Sequence, residues 1–344
     1  MVNNMDVSYK PQELDTGLMH ARNAVSSNEV KIVGDIGGTN ARFACVTDEG
    51  NYYHNLSIYK CKDYSTLSDA LQLYISDDKV QEGLSGRKIG AICLAIAGPV
   101  IGDIVDLPNN HWTFSRTRLQ RLLGVHVDVI NDFTAQTLSL DLLADDELEW
   151  FDEHRPTGLG RRVVIGPGTG LGVSIQMQNG EVIPSEAGHI GFSPKNDHQI
   201  EILKILWDLH KRISIERLLS GQGLENLYWA NSLIFGDEKK ISAPEVYQLA
   251  TTDDPVAKQT LNDFFDMLAC FAGDMALAAW ATDGVYLSGG ILPKVWKQFD
   301  KERFRSLFHS KGRFSDFCKK VPLSLIRAEQ PGLLGCVAAV SQKQ

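Results

Sequence analysis

The stretch Val30 to Val46, VKIVGDIGGTNARFACV, constrains the fold more than any other part of the chain. An apolar run ends at Asp35, a Gly37-Gly38-Thr39-Asn40 turn follows at once, and a second apolar run leads away through Phe43-Ala44-Cys45-Val46. This pattern predicts a β-hairpin. Arg162 to Met177, RVVIGPGTGLGVSIQM, repeats the design with Gly168-Thr169-Gly170 at its turn. One unit recurring in both halves argues for a duplicated architecture in which two glycine-rich hairpins face one another across a cleft. Adjacent glycines give access to positive φ and let a ligand approach without a Cβ in the way, and exposed turn N–H groups suit phosphate oxygens. The same residues also suit an ordinary tight turn, and spacing alone does not separate the two readings.

Around the hairpins the pattern is α/β. Tyr53 to Tyr59 extends the first hairpin into a meander, Ser65 opens a helical pattern, and Ile89 to Ala97 is the continuous apolar run of a strand covered on both faces. Ser115 is placed to cap a helix over Arg116 to Leu123 that Gly124 ends. Val125 to Ile130 reads as a strand ending at Asn131-Asp132, with a helix following over Phe133 to Leu143. Ala144 to Gly160, acidic and then punctuated by Pro and Gly, is a candidate domain boundary. Later segments predict helices over Ile200 to His210 and Ser214 to Leu219, the second closed by Ser220-Gly221, then a long apolar helix, a strand ending at Gly289-Gly290, a basic loop at Lys311 to Phe314 and a last helix over Leu333 to Val340.

The balance of 34 Lys and Arg against 43 Asp and Glu, a net charge of −9, gives no electrostatic reason to expect nucleic acid or an anionic membrane as a partner. The six cysteines are scattered without a CxxC pair, which argues against a zinc cage or a disulfide framework and for a reducing, cytoplasmic setting. Residues 1–29 are polar, without the apolar core of a signal peptide, and read as a loosely ordered extension. Phe264 to Ala281 is the most apolar long window, but Asp266 and Asp274 interrupt it and a buried helix accounts for it better than a membrane span.

Asn131-Asp132 stands where a buried strand runs out, the place at which open α/β sheets put ligand-binding groups. Asp132 can accept a proton from a substrate hydroxyl and Asn131 can bind a neighbouring hydroxyl; Asp132 would serve equally as a helix N-cap. Glu186 and His189 can bracket vicinal hydroxyls or be plain surface groups, and Glu216 at a helix start suits the dipole whatever its function. Gly289-Gly290 can let a flat base lie against the backbone. The chain has no GxxxxGK[ST] loop and no GxGxxG that opens a helix, so nucleotide binding falls to the paired hairpins.

Taken together, DIGGTNAR (Asp35 to Arg42), AGPV (Ala97 to Val100), NNHW (Asn109 to Trp112), INDF (Ile130 to Phe133), GPGTGLGV (Gly166 to Val173), EAGHIGF (Glu186 to Phe192), SIERLLSG (Ser214 to Gly221), SGG (Ser288 to Gly290), KGRF (Lys311 to Phe314) and QPGLLG (Gln330 to Gly335) resemble the bacterial ATP-dependent glucokinase family, over Val30 to Val340 and in the family's order. The resemblance implies a two-domain α/β fold of the actin-like ATPase, or ribonuclease H-like, class with an interdomain cleft. It implies a small domain of residues 30–141 plus 328–344 and a large domain of residues 142–327.

The same resemblance implies ATP and Mg²⁺ as cofactors, D-glucose as substrate, a place in glycolysis and a homodimer. It carries Asp132 over as general base on the sugar 6-hydroxyl, with Asn131, Glu186, His189 and Glu216 as hydroxyl-binding partners. Asp35 becomes the acid that positions Mg²⁺ through water, Gly37 to Asn40 and Gly168 to Gly170 become the phosphate turns, and Gly289 and Gly290 join the nucleotide site. The chain departs from the family pattern at Gln222, where a proline is common, and at Ala187, where a glycine is frequent. Zinc, the mark of a related repressor and sugar-kinase family, is not expected, because no cysteine lies between Cys93 and Cys270. Three alternatives remain: a hexose kinase of different or broader specificity, a non-catalytic sugar-sensing regulator, and an actin-like assembly ATPase.

Overall fold

The structure, a computed structural model, describes residues 29–46 and 52–342. The N-terminal extension, apart from Glu29, and the turn read at Asp48 to Asn51 lie outside the described residues. The chain divides into two compact units: the described residues up to Leu143 together with those from Ala328 onward, and Ala144–Arg327.

In the first unit β1 (Glu29–Ile36), β2 (Asn40–Val46) and β3 (Tyr53–Lys60) form an antiparallel meander, beside which β4 (Lys88–Ile96) lies parallel to β1. A two-stranded ribbon, β5 (Ile104–Asp106) and β6 (Thr113–Ser115), precedes β7 (His126–Asn131), and the main sheet has the order β3-β2-β1-β4-β7. In the second unit β8 (Leu148–Trp150) is followed by a meander of β9 (Arg162–Pro167), β10 (Leu171–Gln176) and β11 (Val182–Ser185). The parallel strands β12 (Val285–Leu287) and β13 (Leu323–Ile326) complete the order β11-β10-β9-β12-β13-β8. Third, second, first, then two parallel strands: both sheets have that sequence. The duplication read from two hairpins therefore extends to whole sheets, and β8 is an added antiparallel edge strand inside what reads in sequence as a loop.

The central strand β4 shows why a continuous apolar run is needed. Ile92, Leu94 and Ile96 face one layer with Leu67, Leu71 and Tyr74, while Cys93 and Ala95 face the helices Asp132–Ser139 and Pro331–Gln342 on the other side. Small residues on that second face let the helices pack close. Their tightest approach is to each other, where a Cβ on Gly335 would overlap the Ala135 carbonyl oxygen. In the second unit the 25-residue helix Pro255–Ala279 is the centre of the core, as its apolar sequence requires. Its interrupting acids have partners: Asp266 accepts two hydrogen bonds from Arg303 at 2.7 and 2.6 Å, and Asp274 pairs with Lys311 at 2.6 Å. Among the described residues no helix is long and apolar enough to cross a membrane.

Several boundaries differ from the sequence reading for local reasons. Thr66, not Ser65, caps the first helix, in a reciprocal capping box with Asp69. Ser220-Gly221 starts a helix rather than ending one: Ser220 Oγ accepts from Gly223 N, and the helix runs Gly221–Ile234. The preceding segment is only a 3-10 turn, Ile215–Arg217, so Glu216 lies on a turn and not at the start of an α-helix. Within the basic stretch Lys311 to Phe314, the Lys311 ammonium is buried against Asp274 and the Cys270 carbonyl.

Replacing Gly335 by Ala forces the two helices apart or strains them, at about 1–3 kcal/mol. The expected result is a lower urea midpoint with an unchanged slope; an unchanged midpoint would mean that the helices tolerate a side chain there.

Candidate functional site

The residues singled out in the sequence fall into two groups, one on each unit, and each group is described by itself.

In the first unit the sheet brings Asp35, Asn131 and Asp132 to the same end of neighbouring strands: β4 pairs Ala95 with both Asp35 and Ile130, and Ile96 with Asn131. Asn131 is the N-cap of the helix Asp132–Ser139; its Oδ1 accepts from Phe133 N and Thr134 N at 2.9 and 3.2 Å. The alternative of an Asp132 cap is thereby settled, since Asp132 is the helix's first residue. Its Oδ1 accepts from Asn131 Nδ2 and Phe133 N, each at 3.0 Å, and among the described residues nothing donates to Oδ2. Asn131 Nδ2 also donates to the Gly98 carbonyl at 3.1 Å, so the amide that orients Asp132 is itself held at both ends. Burial, and after it the negative charge of Asp35, push the Asp132 carboxyl up to about 7, against the opposing pull of its hydrogen bonds. Asp35 is raised as well, by burial, and the Arg42 guanidinium at 3.7 Å offsets this only in part.

Two carboxyls that share a site and are both short of compensation suit a hydrated cation. Among the described residues no group of three or more His, Cys, Asp or Glu could hold a metal ion. A pair still fits Mg²⁺, which typically keeps its waters and takes only one or two carboxylates alongside substrate phosphates. Gly332, at the N-terminus of the helix Pro331–Gln342, lies against Asp35, and a Cβ there would stand 3.1 Å from the carboxyl carbon.

The first glycine turn differs from expectation in one respect. Neither Gly37 nor Gly38 has positive φ. Gly38 is needed because a Cβ on it would stand 2.8 Å from the Asn109 carbonyl oxygen. The turn closes through Gly37 N donating to Asn40 O at 3.0 Å, and the Gly37 and Thr39 carbonyls accept from Asn110 Nδ2 and Cys61 N at 3.2 and 2.9 Å. Among the described residues the Gly38 and Thr39 N–H groups have no acceptor.

In the second unit the structure brings Glu186, His189, Glu216 and Gly168 to Gly170 together. Ile190 to Phe192 run beside Ile213 to Ile215, with Ile215 N donating to Ile190 O and Phe192 N to Ile213 O at 3.0 Å each, so the turns bearing His189 and Glu216 are held side by side. His189 Nε2 lies 3.7 Å from Glu186 and its Nδ1 3.9 Å from Glu216, with Glu186 and His189 well exposed. Glu216 Oε2 accepts from Leu171 N at 2.9 Å, and a Cβ on Gly170 would stand 2.5 Å from that same oxygen. The glycine at 170 thus makes room for a carboxylate. Gly168 O accepts from Gly221 N at 2.9 Å, at the start of the 14-residue helix whose positive end suits an anion. Gly289 has a φ of 93° and packs on the Pro167 carbonyl, while a Cβ on Gly290 would meet nothing. Gln222 and Ala187 disturb neither element: Gln222 is an exposed residue of the helix's first turn, and Ala187 N donates to Ser185 Oγ at 3.2 Å.

The Glucokinase family model matches residues 32–343. The chain belongs to the glucokinase family. It is 36% identical over 318 residues to the glucokinase of Chromohalobacter salexigens, covering 91% of this chain and 98% of that relative. Among solved structures, the glucokinase of an Antarctic psychrotroph superposes with a TM-score of 0.82 at 31% identity, covering 92% of this chain and 99% of that one. The glucokinase of Balamuthia mandrillaris in complex with glucose gives a TM-score of 0.73 at 20% identity, over 92% and 95% of the two chains, and shows a shared fold. The fold is that of the actin-like ATPases, and family membership disfavours the regulator and assembly-ATPase readings. Asn109, Asn110 and Gly332 reach these sites without having been marked for them. The only sequence signals were the NNHW and QPGLLG strings.

A carboxyl whose folded value lies above the 3.8 of a free aspartate binds its proton more tightly in the native state. Its stabilising contribution is full below about pH 4 and is lost as pH rises through about 7. Asp132→Asn is therefore expected to gain thermal stability over the parent at pH 8 and little at pH 4, which paired melting curves at the two pH values check.

Proposed function

We propose that the protein transfers the γ-phosphoryl group of ATP to the 6-hydroxyl of D-glucose, giving glucose 6-phosphate and ADP, with Asp132 as general base. The observation that carries the residue assignment is a carboxyl poised near 7 with one oxygen fixed by Asn131 Nδ2 and Phe133 N and the other open. A base is most effective when its pKa lies near the working pH. Phosphoryl transfer otherwise needs positioning and charge stabilisation more than covalent help.

In this reading Asp132 Oδ2 accepts the proton of the sugar 6-hydroxyl as the hydroxyl oxygen bonds to the γ-phosphorus and the bond to the β-phosphate oxygen breaks. Asn131, Glu186, His189 and Glu216 bind the other hydroxyls. Glu186 and His189 are exposed enough to exchange water for sugar, and Glu216 keeps its orientation through Leu171 N. The free N–H groups of Gly38 and Thr39, and those of Thr169 and Gly170, receive phosphate oxygens, and Gly289-Gly290 offers a flat backbone surface to the base. Asp35 would hold Mg²⁺, which would supply charge neutralisation on the phosphates. A cytoplasmic homodimer accords with the family, and sedimentation of the purified chain tests the dimer.

Asp132→Asn is expected to keep glucose affinity and lose at least about 10²-fold in kcat, the low end of what a positioned base contributes. Near-normal turnover would sink the assignment. Because the base must be ionised, kcat/KM for the parent should rise with pH and level off above about 7, and a hexose panel assayed with ATP and Mg²⁺ decides whether glucose is the preferred sugar.

A further inference from the structure

The NNHW segment has no place in the roles above, yet its residues reach the tip of the first glycine turn. Trp112 is buried, its Nε1 donates to the Tyr64 carbonyl at 3.0 Å, and its N donates to Asn110 Oδ1 at 3.2 Å. The Asn110 amide is thereby fixed with its oxygen toward Trp112 and its Nδ2 toward Gly37 O, 3.2 Å away. Asn109 presses its carbonyl against Gly38 from the same side.

We propose that Asn110 is a positioning residue for phosphoryl transfer: by holding the Gly37 carbonyl it aims the Gly38 N–H at a phosphate oxygen of the nucleotide. A trans peptide is planar, and its C=O and N–H point in opposite directions, so holding one fixes the other. Between two glycines the plane meets little steric resistance to flipping, and without a clamp the N–H would be lost to the site for part of the time. The second unit shows the same device in main-chain form. There Gly221 N holds the Gly168 carbonyl, which turns the Thr169 N–H the opposite way, and Thr169 N likewise has no acceptor among the described residues. In the first unit side chains do this work, Asn110 Nδ2 at 3.2 Å and the weaker Cys61 thiol at 3.7 Å, so the main donor can be removed without breaking a helix.

The inference rests on the kinase reading above, and the experiment separates the two. Asn110→Asp keeps the oxygen that Trp112 N binds but replaces the donor with a group that repels Gly37 O; Asn110→Ala removes both. For each variant kcat/KM is measured for ATP, Kd for glucose and for Mg²⁺ with a non-hydrolysable ATP analogue is measured by calorimetry, and the melting temperature is recorded. Both variants are expected to lose about tenfold or more in kcat/KM for ATP, part of what losing one aligned donor costs. Analogue affinity should weaken while glucose Kd stays within about twofold, well under the tenfold that corresponds to 1.4 kcal/mol. Wild-type ATP kinetics and analogue affinity in a folded Asn110→Asp variant overturn the proposal, and so does an equal loss of glucose affinity. If the parent chain phosphorylates no hexose, the kinase reading fails on its own, and the analogue Kd still decides the role of Asn110.

Discussion

An aspartate buried beside another aspartate is the interaction on which the proposed chemistry turns. Asp132 would be an unremarkable acid at the surface; burial and the charge of Asp35 bring it into the range where it can take a proton near neutrality. The scaffold keeps it from drifting further. Phe133 N and Asn131 Nδ2 donate to one oxygen, the helix start favours negative charge, and the Asn131 cap fixes where that helix begins. Neutralising Asp132 should stabilise the fold above neutrality while it removes the proposed base, so stability and the proposed activity are opposed at this residue.

The glycines follow a second logic. Their freedom of φ explains little at the first glycine turn, where neither Gly37 nor Gly38 has a positive φ. Space explains more. Gly38 yields to the Asn109 carbonyl, Gly170 to the Glu216 carboxylate, and Gly335 to the Ala135 carbonyl. In both turns a carbonyl is engaged by a donor from outside the turn: Gly37 and Thr39 in the first, Gly168 in the second.

Much of this was legible in the chain. The hairpin at Val30 to Val46, its near-copy at Arg162 to Met177, the doubly covered run in β4 and the Ser115-to-Gly124 helix follow from periodicity and capping, which depend on neighbours in sequence. Asn131-Asp132 at a strand end was visible for the same reason, although which of the two caps the helix was not. The strand β8 was hidden because three residues at a sheet edge have too little pattern of their own, and Glu216 was assigned to a helix because a single 3-10 turn and an α-helical first turn look alike in sequence. Lys311 read only as part of a basic loop because its partners, Asp274 and the Cys270 carbonyl, lie about forty residues away, at separations of 37 and 41.

The sequence by itself determined the two glycine hairpins, the α/β alternation, the family and the residues able to act as acid, base and hydroxyl partners, because each is written in short-range pattern or residue type. Only the tertiary structure decided that the duplication covers whole sheets in matching strand order, that burial and then Asp35 raise Asp132, that Glu216 holds the main chain beside Gly170, and that Asn110 grips the first turn. Those facts are set by which distant segments the two cores bring into contact, and charge, burial and peptide orientation have no value until that contact exists.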